Sequence, residues 1–295
     1  MEALKTTPRL ALQNILFTTD FSSTSERALS FALAFANWYG AKLFIAHAVP
    51  PEPHYPVPMD PLPAEVDPIW REAQGNMAQF ASASALRGIR HEMFVEQGRP
   101  WDVVQRLVHS HPMDLLVLGT HGRVGLKKIV LGSEAEIIFR QALCPVLTVG
   151  PNVIPIDWRR WQLRTVVYAT DFSEGAEAAL PLALSLAEEN QAKLLLLHLT
   201  PMVPIDSQDD LQSGVLERLR ALLPPDAEDW CKPECLVRFE FPAEGILRLA
   251  EERAADLIIM GVHKAAAPSA AAHLPWATAT EVVSHAPCPV LTVRK

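Results

Sequence analysis

Short apolar runs recur along this chain, separated by longer stretches in which apolar residues return every three or four positions. A run such as Leu115-Leu116-Val117-Leu118 lacks the alternation of a half-exposed strand and has the pattern of a strand buried on both faces. The periodic stretches have the repeat of helices with one buried side. In the first half the pattern predicts strands over 14–18, 42–49, 91–96, 115–118 and 146–149, with helices over 23–36, 69–86, 101–109 and 133–141 between them. The helix at 23 carries a capping-box spacing in Ser23 and Glu26, with Ala28, Leu29, Ala32, Leu33 and Phe35 on its buried side. Ser133 and Glu136 have the same spacing at the start of the fourth helix. Residues 50–63 hold many prolines and read as a long surface loop. Strands are expected again at 165–169, 193–199, 236–240, 257–260 and 290–293. Alternating strands and helices with apolar strands imply a parallel, doubly wound α/β sheet in each half.

The two halves repeat each other. Thr19-Asp20-Phe21-Ser22 returns 151 positions later as Thr170-Asp171-Phe172-Ser173, and the same offset carries Ala41-Lys42-Leu43 onto Ala192-Lys193-Leu194, His47 onto His198 and Pro50 onto Pro201. Asp114 to Gly119 matches Asp256 to Gly261, and Cys144-Pro145-Val146-Leu147-Thr148-Val149 recurs from Cys288. The period is too long for a solenoid and fits two tandem domains, 1–150 and 164–295, joined by a linker over 151–163. Trp158 and Trp161 in that linker are expected to pack between the domains.

With 295 residues, 49% hydrophobic and 20% charged, the chain is long and apolar enough for two packed cores. A net charge of -8 argues against nucleic acid or an anionic membrane as a general partner. No apolar run approaches the roughly 20 residues that span a bilayer. The opening MEALKTTPRL lacks the apolar core of a signal peptide, and the 4 cysteines have no matching Cys/His pair at metal spacing. Reduced structural thiols and a cytoplasmic location are the expectation.

The stretch after the fourth strand carries the chemistry. Gly119 ends the apolar run, Gly122 follows three residues on, and Gly132-Ser133 comes ten residues after Gly122, directly before the helix. Strand, glycine-rich loop and helix N-terminus together can turn backbone N–H groups and the positive end of a helix dipole toward a phosphate. Arg123, Lys127 and Lys128 lie in the loop and could balance its charge. The competing reading is an ordinary βα loop with Ser133 as helix cap. The spacing is not that of a P-loop, and no G-x-G-x-x-G follows the first strand. Doubly wound sheets bind ligands beyond the strand carboxyl ends, where strand order reverses. The first and fourth strands would flank that crevice, which sets Asp20 beside the Gly119 loop. Its carboxylate could bond a ribose hydroxyl or an adenine amine, support a phosphate-bound metal, or cap the first helix or the turn before it. Asp171 holds the matching place in the second half.

Gly119-x2-Gly122-x9-Gly132-Ser133, with Thr18-Thr19-Asp20-Phe21 upstream and Cys-Pro-Val-Leu-Thr-Val at the end, resembles the universal stress protein family, across nearly the entire chain as a tandem pair. The resemblance implies two Rossmann-like, adenine-nucleotide α-hydrolase-like sheets of five strands in the order 3-2-1-4-5. Members with this glycine pattern bind ATP, with Mg or Mn carried through the phosphates. Thr18, Thr19, Asp20 and Phe21 would then surround the adenosine. Ala48 would offer backbone to the adenine, and Leu118 and Gly119 would lie beside ribose and phosphates. Gly122, Gly132, Ser133 and Glu134 would line the phosphates. Glu134 departs from the family, which uses a neutral residue there. A carboxylate suits a first helical turn but repels a triphosphate. Family members commonly dimerise through the fifth strand. In a tandem chain the simplest closure is internal, with 146–149 pairing antiparallel with 290–293 as a pseudo-twofold monomer; the alternative is pairing with other chains in a larger homo-oligomer.

The second half departs further. Gly122 is matched by Lys264, Gly132 by Trp276 and Ser133 by Ala277, and 265–272 is alanine-rich. An indole where phosphate must approach backbone would block it sterically, so the second site is expected to be lost. His47 and His198 are expected as core histidines with one bonded nitrogen, and His109 and His111 as helix-end residues. No Ser/His/Asp or Cys/His set and no paired carboxylates emerge, so no catalytic residue is assigned and binding is favoured over catalysis. The expected function is an ATP-binding, nucleotide-dependent stress or regulatory module. Slow ATP hydrolysis or adenylyl transfer on the same fold, and a ligand-free interaction protein, are the alternatives.

Overall fold

The computed structural model describes residues 10–50, 68–81, 86–120, 131–202, 208–262 and 274–295. The first half runs β1 (Asn14–Thr18), α1 (Ser23–Tyr39), β2 (Lys42–Val49), α2 (Pro68–Ala81), β3 (His91–Gln97), α3 (Pro100–Ser110), β4 (Leu115–Gly119), α4 (Ser133–Gln141) and β5 (Val146–Val149). The second half runs β6 (Thr165–Ala169), α5 (Glu174–Asn190), β7 (Lys193–Thr200), α6 (Gln208–Ala221), α7 (Ala227–Trp230), β8 (Glu234–Phe239), α8 (Pro242–Glu252), β9 (Leu257–Val262), α9 (Leu274–His285) and β10 (Val290–Arg294).

All described strands join one sheet in the order β3-β2-β1-β4-β5-β10-β9-β6-β7-β8. Each half is parallel and in the expected 3-2-1-4-5 order. The halves meet at an antiparallel seam, Val290 opposite Thr148, Leu291 opposite Leu147 and Thr292 opposite Val146. Two buried threonines stitch it: Thr148 Oγ1 donates to Val290 O at 3.1 Å and Thr292 Oγ1 to Val146 O at 3.3 Å. An apolar fifth strand would otherwise be an open edge, and each half covers the other's.

The core ignores the domain boundary. One apolar cluster on a sheet face contains Phe31, Phe35 and Leu147 from the first half and Leu184, Leu196 and Leu291 from the second. Trp158 is buried in it, and Trp161 packs at its edge, stacked on Trp38 with centroids 4.9 Å apart and edge-on to Phe31 at 5.1 Å. The repeat also extends to the strand entries. Asp114 Oδ2 accepts from the backbone N–H of Gln13 and Asn14, and Asp256 Oδ2 from those of Arg164 and Thr165.

Several boundaries and caps differ from expectation. The cap of α1 is Ser22, not Ser23: Phe21 sits at φ 59°, which turns the chain so that Ser22 is extended and its Oγ accepts from Ser25 N at 3.2 Å. The helix then runs to Tyr39, where Gly40 in the left-handed region ends it. Gly132, not Ser133, is the residue before α4, so the Ser133 hydroxyl is not its cap. The second helix is described over Pro68–Ala81, and its expected continuation over 82–85 lies outside the described residues; β8 begins at Glu234, two residues early. The proline loop over 51–63 lies outside the described residues.

Candidate functional site

The crevice at the carboxyl ends of β1, β2 and β4 is built by three local devices. The first is the turn leaving β1. Thr19 is buried and extends the strand by donating its N–H to Ala46 O at 2.9 Å. Thr19 Oγ1 accepts from Phe21 N at 2.9 Å and contacts Ser25 Oγ at 3.0 Å, while Asp20 Oδ1 accepts from Ser22 N at 3.0 Å. This Asx turn holds Phe21 at its positive φ. His47 Nδ1 lies 2.7 Å from Thr19 O, and its ring meets Phe21 with centroids 4.5 Å apart. His47 has the bonded ring nitrogen that was expected, but it is part-buried at the crevice rather than in the core.

The second device is the end of β2. In a parallel ladder, successive residues address opposite neighbours. Ala46 O bonds toward β1, through Thr19 N, and Val49 O toward β3, through Gly98 N. Ala48 therefore turns its N–H and C=O to the β1 side, beyond the point where β1 has ended. The half-buried alanine leaves a backbone donor and acceptor facing the crevice.

The third is the junction from β4 to α4. Leu118 is buried beside Thr18, its partner in register. Gly119 is still in the strand. A Cβ there would lie 3.0 Å from the backbone carbon of Thr24 and 3.1 Å from Ser25 N, so the glycine lets the first turn of α1 rest on β4. A glycine at this place lets the chain leave the strand sharply, and here the room on its Cα side is filled by helix packing. Thr120, fully buried, donates its N–H to Val149 O, and its carbonyl accepts from Gly132 N at 2.8 Å. The loop is thus pinched shut at its stem, and a Cβ on Gly132 would stand 3.3 Å from Thr120 O. Glu136 N, the fourth amide of the helix, bonds to Gly132 O. The amides of Ser133, Glu134 and Ala135 precede it and have no partner in the helix, nor can Gly132 cap them with a side chain. Ser133 is exposed. One Glu134 carboxylate oxygen, Oε2, is buried and has no hydrogen-bond partner among the described residues, so this side chain does not simply point to solvent. Gly122, Arg123, Lys127 and Lys128 lie outside the described residues.

The second half keeps the first device, carries a larger side chain at the second and lengthens the helix at the third. Thr170 Oγ1 accepts from Phe172 N, Asp171 Oδ1 from Ser173 N, Phe172 is again at φ 59°, and His198 Nδ1 lies 2.8 Å from Thr170 O. Ala48 is matched by Leu199, whose Cδ2 occupies the space above Gly245 of α8, where the first half has the buried Val103 in α3. The bulk removed from the helix reappears at the strand end. At the third place α9 begins at Leu274, three residues before the counterpart of Ser133. That exceeds the usual uncertainty of a helix end. The amides from Ala277 onward are thereby drawn into intrahelical bonding, and the helix terminus moves by about 4.5 Å. The expected steric block by Trp276 rests on a side chain outside the described part, as does Lys264. Gly261 is retained for the same reason as Gly119: a Cβ would fall 2.0 Å from Gly175.

A family model for universal stress proteins matches residues 11–150 and again 162–294. This chain belongs to the universal stress protein family. A universal stress protein from Thermus aquaticus is 32% identical over 143 residues, 46% of this chain and 98% of that protein. One from Methanocaldococcus jannaschii is 27% identical over 138 residues, 46% of this chain and 81% of its own length. These relatives have the size of one half. A crystal structure of a universal stress protein from Archaeoglobus fulgidus matches the whole tandem arrangement, covering 97% of this chain and 98% of that one with a TM-score of 0.68 at 20% identity, a likeness of fold.

All four cysteines are free thiols. Burial pushes the Cys144 thiol up to about 11 and Cys231 up to about 12, so neither is a ready thiolate. Among the described residues no group of three or more His, Cys, Asp or Glu could hold a metal ion, and no helix is long and apolar enough to cross a membrane. The residues that the sequence did not single out are Thr120 and Leu131, which close the loop stem. Nothing local marks either, because both act through tertiary contacts.

Proposed function

We propose that this universal stress protein binds one adenine nucleotide, ATP, in the crevice of its first half and acts as a nucleotide-dependent regulatory or stress-response module. The observation that carries this reading is the start of α4. Three amides without helical partners stand behind a glycine pinned to the end of β4, whereas the second half spends the equivalent amides inside a longer helix. Such a terminus suits phosphate. The backbone of Ala48 suits the donor and acceptor edge of adenine. Thr18, Thr19, Asp20 and Phe21 would border the nucleoside, with Asp20 Oδ1 held by the turn and its second carboxylate oxygen left for a ribose hydroxyl. Leu118 and Gly119 would form the floor, and Gly122, Gly132, Ser133 and Glu134 the phosphate wall. Mg or Mn would travel on the phosphate oxygens.

Among the described residues no side chain at the crevice combines a nucleophile with an aligned base, which favours binding over hydrolysis or adenylyl transfer. The test is the mass of any nucleotide carried through purification, repeated on Gly132→Trp. ATP, ADP or AMP with the wild type and none with the variant is the expected result. Retention unchanged in the variant would move the ligand away from this loop.

A further inference from the structure

The helix that offers the phosphate site is mounted on the other half of the molecule. Along α4, Ile138 and Ala142 face the core of their own domain, beside Leu116 and Leu118. Leu131, just before the helix, and Phe139 within it belong instead to a cluster made otherwise of second-half residues, among them Ile258, Met260 and Val282. Ala135 touches both clusters. Leu131, Ala135 and Phe139 are spaced by four, one face of a helix and the turn before it. Leu131 is only 3% exposed and Phe139 2%. At the far end of α4, Arg294 Nη1 from β10 donates to Arg140 O at 2.8 Å, satisfying a carbonyl that the helix leaves open.

We infer that the second half, having lost its own site, positions the first one, and that Leu131 is the positioning residue. Resting on the ATP-binding reading above, the inference is that nucleotide affinity is set through a contact that no nucleotide touches. Leu131 adjoins Gly132, whose N–H is held by Thr120 O, so the plug in the second-half core and the bond to β4 fix the N-terminus of α4 from both sides. Close-packed interiors transmit such a displacement rather than absorb it. Coupling is reciprocal: nucleotide that favours the seated α4 must also steady the second-half surface on which it sits.

The experiment compares Leu131→Ala with Leu107→Ala in the full chain. Leu107 is equally buried, but in the first domain's own cluster. Leu131→Ala is expected to weaken ATP binding about tenfold, a difference readily resolved by titration. Leu107→Ala is expected to lower the melting temperature comparably with affinity unchanged. In the wild type, ATP is expected to slow hydrogen exchange in α9 as well as around Gly132. Equal affinity losses in both variants would reduce Leu131 to general stability and overturn the inference. So would α9 exchange that ATP leaves unchanged, a readout that stands even if Leu131→Ala fails to fold. Wild-type protein that binds no ATP would remove the site itself. ATP binding that Leu131→Ala does not alter would remove only its mounting.

Discussion

The turns after β1 and β6 carry the same Thr-Asp-Phe-Ser residues and the same bonds; the junctions leading into α4 and α9 carry neither. One turn stands beside a helix start with open amides, the other beside a helix whose start has been extended by three residues. Because the turn is intact where the helix start differs, its threonine, aspartate and positive-φ phenylalanine are fold devices first. In the proposed site the ligand chemistry would fall at the helix start and at the end of the second strand. Gly119 and Gly261 also have a structural role, since each makes room for the first turn of the helix packed on it, α1 and α5 respectively.

The seam that makes the halves comparable is the first thing to break. Leu291 lies in β10, paired on one side with β5 and on the other with β9. Leu291→Pro removes a donor facing β9 and forces a proline into a strand paired on both sides, and it should be more destabilising than any of the substitutions that follow. Denaturant unfolding measures the loss. The mirror variant Leu147→Pro should match it if the two halves share one seam. A monomeric wild type by light scattering, with slow exchange in both β5 and β10, is the expected companion result.

Next in size is importing the second half's junction. Replacing Leu131, Gly132 and Ser133 by the Pro, Trp and Ala of the second half should weaken ATP by on the order of a hundredfold, by removing the open amides. Titration with ATP checks it, and affinity within threefold of wild type would separate the helix start from the ligand.

Ala48→Leu imports the other difference. Alone it should destabilise by about 1–3 kcal/mol, since Val103 occupies the space that Gly245 leaves for Leu199. Adding Val103→Gly should recover part of that stability in thermal unfolding without restoring nucleotide binding. Recovery of both would show that the end of β2 does not face the ligand.

Glu134→Val is expected to improve ATP more than AMP, by about 1 kcal/mol, because one repulsion at a partly solvated site disappears. Parallel titrations measure the ratio, and equal gains would set the carboxylate away from the terminal phosphates.

The smallest effect compares Glu234 with its first-half counterpart Glu92. Glu92 is held below its ordinary value by a hydrogen bond from Lys42, with a smaller pull from His111, whereas hydrogen bonds from Arg253 and then Lys193 bring Glu234 down to about 2. A carboxyl lowered on folding adds stability above its unfolded value, near 4.5, and loses it as pH falls toward 2. Glu234→Gln should flatten the acid limb of the stability curve in that window. The surface position keeps the change small. A curve that keeps its shape would show that this pair does not contribute.

Much of the fold was legible because it is written twice. The buried strands are contiguous apolar runs, and the offset of 151 aligned the starts of the first two pairs, 14 with 165 and 42 with 193. The fifth-strand edge of Val-Leu-Thr-Val announced the seam by its own exposure problem. Caps were harder. Three serines stand at 22, 23 and 25, and the spacing to Glu26 singles out Ser23, but the left-handed Phe21 hands the role to Ser22. The extended start of α9 had a local signal in Pro275, a residue suited to a first helical turn, that the comparison with Ser133 overrode. The roles of Gly119, Thr120 and Leu131 depend on what packs against them, and no spacing along the chain encodes that. The exchange of bulk between Ala48 with Val103 and Leu199 with Gly245 is likewise visible only across the strand–helix contact.

We propose that two copies of one unit hold a single nucleotide site. Calorimetric titration of the wild type with ATP in the presence of Mg tests this directly. One ATP per chain is the expected result, with heat and stoichiometry both lost when the junction at 131–133 is exchanged for that of the second half. Two equivalent sites per chain, or one site that survives that exchange, would contradict it.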